Sequence, residues 1–509
     1  MSRILITNCS VMGGSREASI LIEGGRISKV SGRSLDAHAD DVVDAGGGTV
    51  LQGLVDTHCH PFELGRQKKI VDLRGTGNIV AVRLRLQAKI RRAPPGTWVT
   101  GRGWDHELFP DKRVPTKSDI DDVSPDNPVL ITRICGHIAL LNSAAIEATG
   151  IADRRGREYE RGADGELTGV VKEGALEEVY SLVPKEPGMA AVDLQAAEVE
   201  AARVGLTCVH CILSPEGYRE ELDALTALDR GGSLSVRYVV YLPPQAVSYV
   251  EERGLRAEPG EGLVRIAGVK LYADGSLGAR TAALREPYSD DPSNSGVLRH
   301  TDEELAELVE RSDRAGYQVI VHAIGDRAIE QAVGALSRVS GQGNPRRHRI
   351  EHASLLPRDL RSKLVKHSIR ATVQPLFITS DVWAVDRLGE DRARDLYPLR
   401  SMLSGGVVAS GSSDAPVESI SPVLGLWASM ARRGRDMQEA LELEEAVSLY
   451  TSNARSNGSE EAGGLREGSR ADLTVLDSDV RGMHPALLRK VGVCATIVSG
   501  NLAHYAGTS

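Results

Sequence analysis

His58 and His60 stand two apart at the end of the apolar run GLVDTH. In a β-strand, residues i and i+2 point to one face, so both imidazoles can reach one metal ion. Lys270, His322, His352 and Asp414 end short apolar runs farther along the chain in the same way. Imidazole nitrogens and carboxylate oxygens are the donors a zinc-like divalent ion takes, and the six residues together read as one metal centre. Cys59, between the two histidines, is expected to face the other side of the strand. Lys270 is the odd member, because an ammonium repels a cation. As a free amine it can react with carbon dioxide, and the resulting carbamate would bridge two ions, expected to be Zn2+. A plain Lys270 paired with Asp414 or Asp274 would instead leave a one-metal site. Such a centre acidifies water and polarises a carbonyl, and Asp414 is the expected catalytic residue, a general base and then acid in hydrolysis of a C–N bond.

The elements that must position these residues are eight apolar runs, most followed by a helical pattern: residues 54–58, 205–212, 234–242, 266–274, 317–325, 347–354, 369–375 and 405–414. Alternating β and α elements of this kind build a parallel sheet, and eight such units close a TIM-like (β/α)8 barrel, an α/β fold whose active residues cluster at the C-terminal strand ends. The suspected ligands fall at or near the ends of the first, fourth, fifth, sixth and eighth runs. Residues 1–52 and the segment after Arg455 carry short alternating runs broken by glycines. They predict a composite β-sandwich from 1–52 and 456–509, flanking a barrel from 53–62 and 190–455. The stretch between the first and second runs is too long for one crossover, so 63–189 is expected to be a folded insertion, a lid over the barrel mouth.

With 509 residues, 41% apolar and 26% charged, the chain is large enough for a catalytic domain plus accessory structure. The net charge of −9 is spread along the sequence without a basic block, which argues against a nucleic-acid partner. No run approaches the ~18 to 20 apolar residues of a membrane span, and the start of the chain lacks a signal-peptide core, so no membrane association and a cytoplasmic location are expected. The six cysteines are scattered and expected to be free thiols; Cys208 and Cys211 form a lone C-x-x-C in a strand-like run, without the second pair of a zinc knuckle. His210 is expected to be a satisfied core histidine. His38, His300, His348, His367, His484 and His504 carry no assigned role, and the charged stretch 439–445 reads as a solvated helix face.

GLVDTHCHP, KLYADGSLGARTAAL, VHAIGDRAIEQAV, RIEHASLL, VQPLF and GSSDAPV resemble, in order and spacing, the amidohydrolase superfamily, and within it the YtcJ-like branch that includes N-substituted formamide deformylases. The resemblance runs essentially from end to end. It implies a metal-bearing barrel with a β-sandwich from both termini, in which Lys270 matches the carboxylated lysine, His58 and His60 the first-strand pair, His322 and His352 the fifth- and sixth-strand histidines, and Asp414 the eighth-strand aspartate. It also implies substrate contacts. GRGWDHELFP resembles the segment that enters the pocket from the insertion, which puts Trp104 and His106 beside the substrate. His137 lies in a segment that usually carries Asp or Ser before its Gly-His, where this chain has Cys135. Arg280, in the loop after the fourth strand, is a candidate carboxylate clamp, or else a structural ion pair with a loop aspartate.

The expected activity is metal-dependent hydrolysis of a C–N (amide) bond, of an N-acyl or N-formyl amine, in a small-molecule substrate. Cyclic amide opening, deamination or decarboxylation on the same barrel are the rival chemistries, and a catalytically silent scaffold is the rival of another class. A homodimer is common among barrel hydrolases that this chain resembles.

Overall fold

The computed structural model describes residues 3–134, 138–183, 188–255, 262–434, 436–458 and 464–507. The chain divides into two compact units, residues 1–64 with 190–509 and residues 65–189.

In the larger unit, eight strands form one sheet in sequence order: β1 (Leu54–Cys59), β2 (Leu206–Ile212), β3 (Arg237–Leu242), β4 (Val264–Tyr272), β5 (Gln318–Ala323), β6 (Arg349–His352), β7 (Arg370–Val373) and β8 (Ala409–Gly411). All seven neighbouring pairs are parallel. Every residue of β1 and β2 is buried, as a parallel sheet covered on both faces requires. The first and last strands meet through backbone and hydroxyl contacts: Asp414 N–H donates to His58 O at 2.8 Å, His60 N–H to Ala415 O at 2.8 Å, and Thr57 Oγ1 to Gly411 O at 3.0 Å. This is a TIM-like barrel, with all eight strands where the apolar runs place them.

Helices in the crossovers follow from capping and amphipathicity. Asp302–Arg314, between β4 and β5, starts in a Thr301/Glu304 capping box, carries three acids in its first turn and Arg311 and Arg314 in its last, and buries Leu305, Ala306 and Val309. Both charge sets complement the helix dipole, and the apolar stripe faces the sheet.

A second sheet in this unit joins the two chain ends. Thr49–Gln52 pairs antiparallel with Leu473–Leu476, which pairs in turn with Val493–Val498. Ile4–Val11 pairs parallel with Asp41–Asp44 through its first half and with Thr49–Gln52 through its second. One apolar cluster holds both ends together, Ile4, Ile20 and Val50 from one and Leu473, Val475 and Ile497 from the other. The chain passes from this sheet into β1 at Gly53, where a Cβ would stand 2.3 Å from Thr207 Oγ1, so only glycine fits.

The smaller unit is a six-stranded sheet with an apolar cluster on each face, one containing Val129 and Ile131, the other Leu130. Among the described residues no helix is long and apolar enough to cross a membrane. The five described cysteines are buried and form no disulfide. Cys208 and Cys211, three apart on β2, lie in different apolar clusters, so they do not form one ligand pair.

Candidate metal centre

The C-terminal ends of β1, β4, β5, β6 and β8 bring the six expected ligands of the larger unit together. His58, His60 and Asp414 present ligand atoms all within 4.8 Å of one another. Asp414 Oδ1 lies 3.4 Å from His58 Nε2 and 3.3 Å from His60 Nε2. Lys270 Nζ lies 3.4 Å from His58 Nε2. His322 and His352 form the other half, their rings 4.4 Å apart, with His352 5.1 Å from His58. Strand register explains the level: His322 on β5 pairs with Tyr272 on β4, and His352 on β6 with Ala323 on β5.

Three imidazoles are oriented by the bonds of their other nitrogen. His58 Nδ1 contacts Glu351 Oε2, leaving Nε2 toward Lys270 and Asp414. His352 Nδ1 lies 2.8 Å from Gln374 Oε1, whose amide donates onward to Ser412 Oγ at 2.9 Å. His322 is turned the other way, its Nε2 2.9 Å from the Gly275 carbonyl, which leaves Nδ1 for the site. Such outer partners fix which nitrogen is the ligand. Beneath the site, Asp56 accepts from the backbone N–H groups of His58 and Ser413 and from Ser413 Oγ, tying the ends of β1 and β8 into one turn.

The electrostatics suit a cation. Burial, reinforced by Lys270, pushes His322 down to about 3 and holds His58 well below the ordinary histidine range; in His352 burial is reinforced first by His322 and then by Lys270. These three rings are therefore neutral at pH 7 and need lose no proton to bind an ion. Burial also lowers Lys270 to about 8, against the pull of Glu351 and Asp414, so a free amine is available near neutrality. Imidazoles beside a carboxylate, with the donor atoms of His58, His60 and Asp414 within 4.8 Å of one another, fit a divalent metal.

The expected substrate contacts fare differently. Trp104, at the end of the strand Val99–Trp104, is 0% exposed in the core of the smaller unit and donates its indole N–H to Ile131 O at 3.0 Å. Its ring packs within that core. Arg280 forms the loop ion pair that was one of its two expected roles. Its guanidinium grips Asp290 with Nε at 3.1 Å and Nη2 at 2.8 Å, so the fork is filled by a loop aspartate. His106 belongs to the smaller unit, its ring 6.1 Å from that of Trp104 and its Nε2 3.6 Å from Glu107. His137 lies outside the described residues. His210 is fully buried, with Nδ1 3.4 Å from Tyr241 Oη and 3.3 Å from Arg349 Nη1, as expected of a core histidine.

Glu351 and Gln374 are the members of the site that the sequence did not single out. Both stand in quoted strings, RIEHASLL and VQPLF; Glu351 is the polar neighbour of His352 in its strand run, and Gln374 is an amide in an apolar run. Tyr272, two residues after Lys270 on β4, is another, its ring 5.0 Å from Lys270 Nζ and 5.5 Å from the His322 ring.

Comparison with known proteins places this site in context. The sequence profile of the amidohydrolase family matches residues 41–504. YtcJ of Bacillus subtilis (strain 168), an amidohydrolase by name, is 32% identical over 96% of this chain and 96% of its own length. The N-substituted formamide deformylase of Arthrobacter pascens is 27% identical over 99% of this chain and 98% of its own. The crystal structure of an uncharacterized metal-dependent hydrolase from Pyrococcus horikoshii OT3 is similar with a TM-score of 0.77 at 29% identity, covering 95% of this chain and 99% of that one.

Proposed function

The chain belongs to the amidohydrolase family, and on that footing we propose that it is a metal-dependent hydrolase of a small-molecule amide, an N-acyl or N-formyl amine. The observation that carries the reading is the convergence of His58, His60 and Asp414 beside the neutral pair His322 and His352, with Lys270 between the halves. The N-substituted formamide deformylase among the relatives supports the choice of leaving group.

In this reading His58, His60, His322, His352, Asp414 and a carboxylated Lys270 would hold divalent metal, expected to be Zn2+. When bound, the ions supply Lewis acidity to the substrate carbonyl and to water. The Asp414 carboxylate takes the proton of the attacking water and delivers it to the departing nitrogen, so the amine leaves neutral. Glu351, Gln374 and the Gly275 carbonyl hold the three imidazoles in their working tautomers. The burial that keeps Lys270 near 8 favours its reaction with carbon dioxide. The reading extends to the terminal sheet, taken as a two-layer sandwich supporting the barrel.

The test is elemental analysis of protein purified without chelator and grown with zinc and bicarbonate, followed by a screen of N-formyl and N-acyl amines for released amine and acid. Bound metal with amine and acid in equal amounts supports the proposal. Ammonia, a ring-opened acid or carbon dioxide as the product of turnover would overturn the choice of substrate, and metal-free protein inert after reconstitution would overturn the hydrolase.

A further inference from the structure

We propose that Glu351, anchored by Arg349, is a positioning residue that sets how firmly the site retains metal at His58. The inference deepens the reading above and rests on it for the presence of a divalent ion.

Arg349 and Glu351 are two apart on β6, so both side chains turn to the same face, the barrel interior, where each is 0% exposed. Arg349 is anchored from three strands. Its Nε donates to Glu351 Oε1 at 2.5 Å, its Nη1 to Tyr241 Oη on β3 at 2.9 Å and its Nη2 to the Thr57 carbonyl on β1 at 3.0 Å. Tyr241 is held in turn, donating to Gln318 Oε1 on β5 at 2.8 Å. Glu351 thus has one oxygen fixed by a rigid guanidinium and the other placed on His58 Nδ1.

The two residues divide the work. A carboxylate buried alone is costly, and the Arg349 guanidinium gives Glu351 a charged partner there. An anionic acceptor on Nδ1 keeps the proton there, points the Nε2 lone pair at the site and makes the ring a stronger donor than a neutral acceptor would. His352 has only the neutral oxygen of Gln374 on its Nδ1, so the site carries a built-in comparison. The functional weight of Glu351 lies on its contact with His58, and that of Arg349 on holding Glu351.

The experiment compares wild type, Glu351→Gln and the double variant Glu351→Gln/Arg349→Met, each loaded with Zn2+ or Co2+. It follows metal release to a chelator, the visible absorption of the Co2+ form and the melting of the metal-free protein. Removing the carboxylate is expected to speed release about 10- to 100-fold in both variants and to alter the Co2+ spectrum. The double variant, with no unpaired buried charge, is expected to recover metal-free melting toward wild type. A double variant that folds, yet releases metal at the wild-type rate with an unchanged Co2+ spectrum, would overturn the proposal and leave the pair a purely structural role. Wild type that takes up neither ion would instead overturn the hydrolase reading itself.

Discussion

Glu351 and His352 are neighbours on β6, yet both reach His58: Glu351 through Oε2 on Nδ1, His352 with its ring 5.1 Å away. Adjacent side chains of a regular strand point to opposite faces. The alternation breaks because His352 and Ala353 adopt left-handed backbone, with φ of 72° and 45°. Asp414 shares the feature with φ of 55°. Non-glycine residues held there cost on the order of 1–3 kcal/mol each, and they gather where geometry is imposed for function. The site is therefore assembled against local preference, by the bonds of β1 to β8 and the packing beneath them.

On the proposed mechanism, Asp414→Asn keeps a donor oxygen but loses the base. The variant should retain metal while kcat falls by at least about 100-fold, the scale of general acid–base catalysis. Steady-state kinetics beside elemental analysis check this, and substantial remaining turnover at full metal content would remove Asp414 from the proton path.

Lys270→Ala deletes the residue between the two halves of the site. Metal content should fall by about one ion per chain, with partial recovery of metal and activity on adding formate or propionate, small carboxylates that stand in for a carbamate. Full metal content in the unrescued variant would sink the bridging role.

The position of Lys270 near 8 also sets a pH dependence. Burial disfavours the ammonium, so the amine fraction grows as pH rises toward 8 and saturates above it. At fixed dissolved carbon dioxide, the initial rate of reconstituting chelated protein should rise about fivefold from pH 7 to pH 8 and then level off. A rate that climbed about tenfold from pH 8 to pH 9 would mean an ordinary lysine.

Trp104 is a packing residue with a used donor. Trp104→Ala should destabilise the 65–189 unit by roughly 3–5 kcal/mol. Trp104→Phe should cost less, about 1–3 kcal/mol, through the Ile131 carbonyl left without its partner. Denaturant unfolding of both variants reads these effects, and an unshifted midpoint for Trp104→Ala would contradict the core assignment.

Much of the barrel was legible because a buried parallel strand is a continuous apolar run, and a ligand at its end interrupts that run with a residue type of known chemistry. His58, Lys270, His322 and Asp414 were found in this way. Glu351 was not, because strand alternation placed it opposite His352, and the left-handed turn that overrides alternation leaves no mark in residue types. Gln374 was hidden for a plainer reason, since an amide in an apolar run has no distinctive chemistry until its partner is known. Trp104 was placed by resemblance of GRGWDHELFP to a pocket segment, and the strand Val99–Trp104 carries its ring into a core. The loop ion pair expected as one role of Arg280 is legible by type, and the folded loop names its partner as Asp290, ten residues on.

The pairing of Thr49–Gln52 with Leu473–Leu476 also imposes a timetable on the ribosome. More than four hundred residues separate the partners, so at ordinary elongation rates the early strand waits roughly 20–85 s for its mate. During that interval Ile4, Ile20 and Val50 lack the other half of their cluster, and the edge of Thr49–Gln52 stands open to any strand that passes. The nascent chain is thus exposed to misassociation at its earliest-made segment until its last-made one arrives.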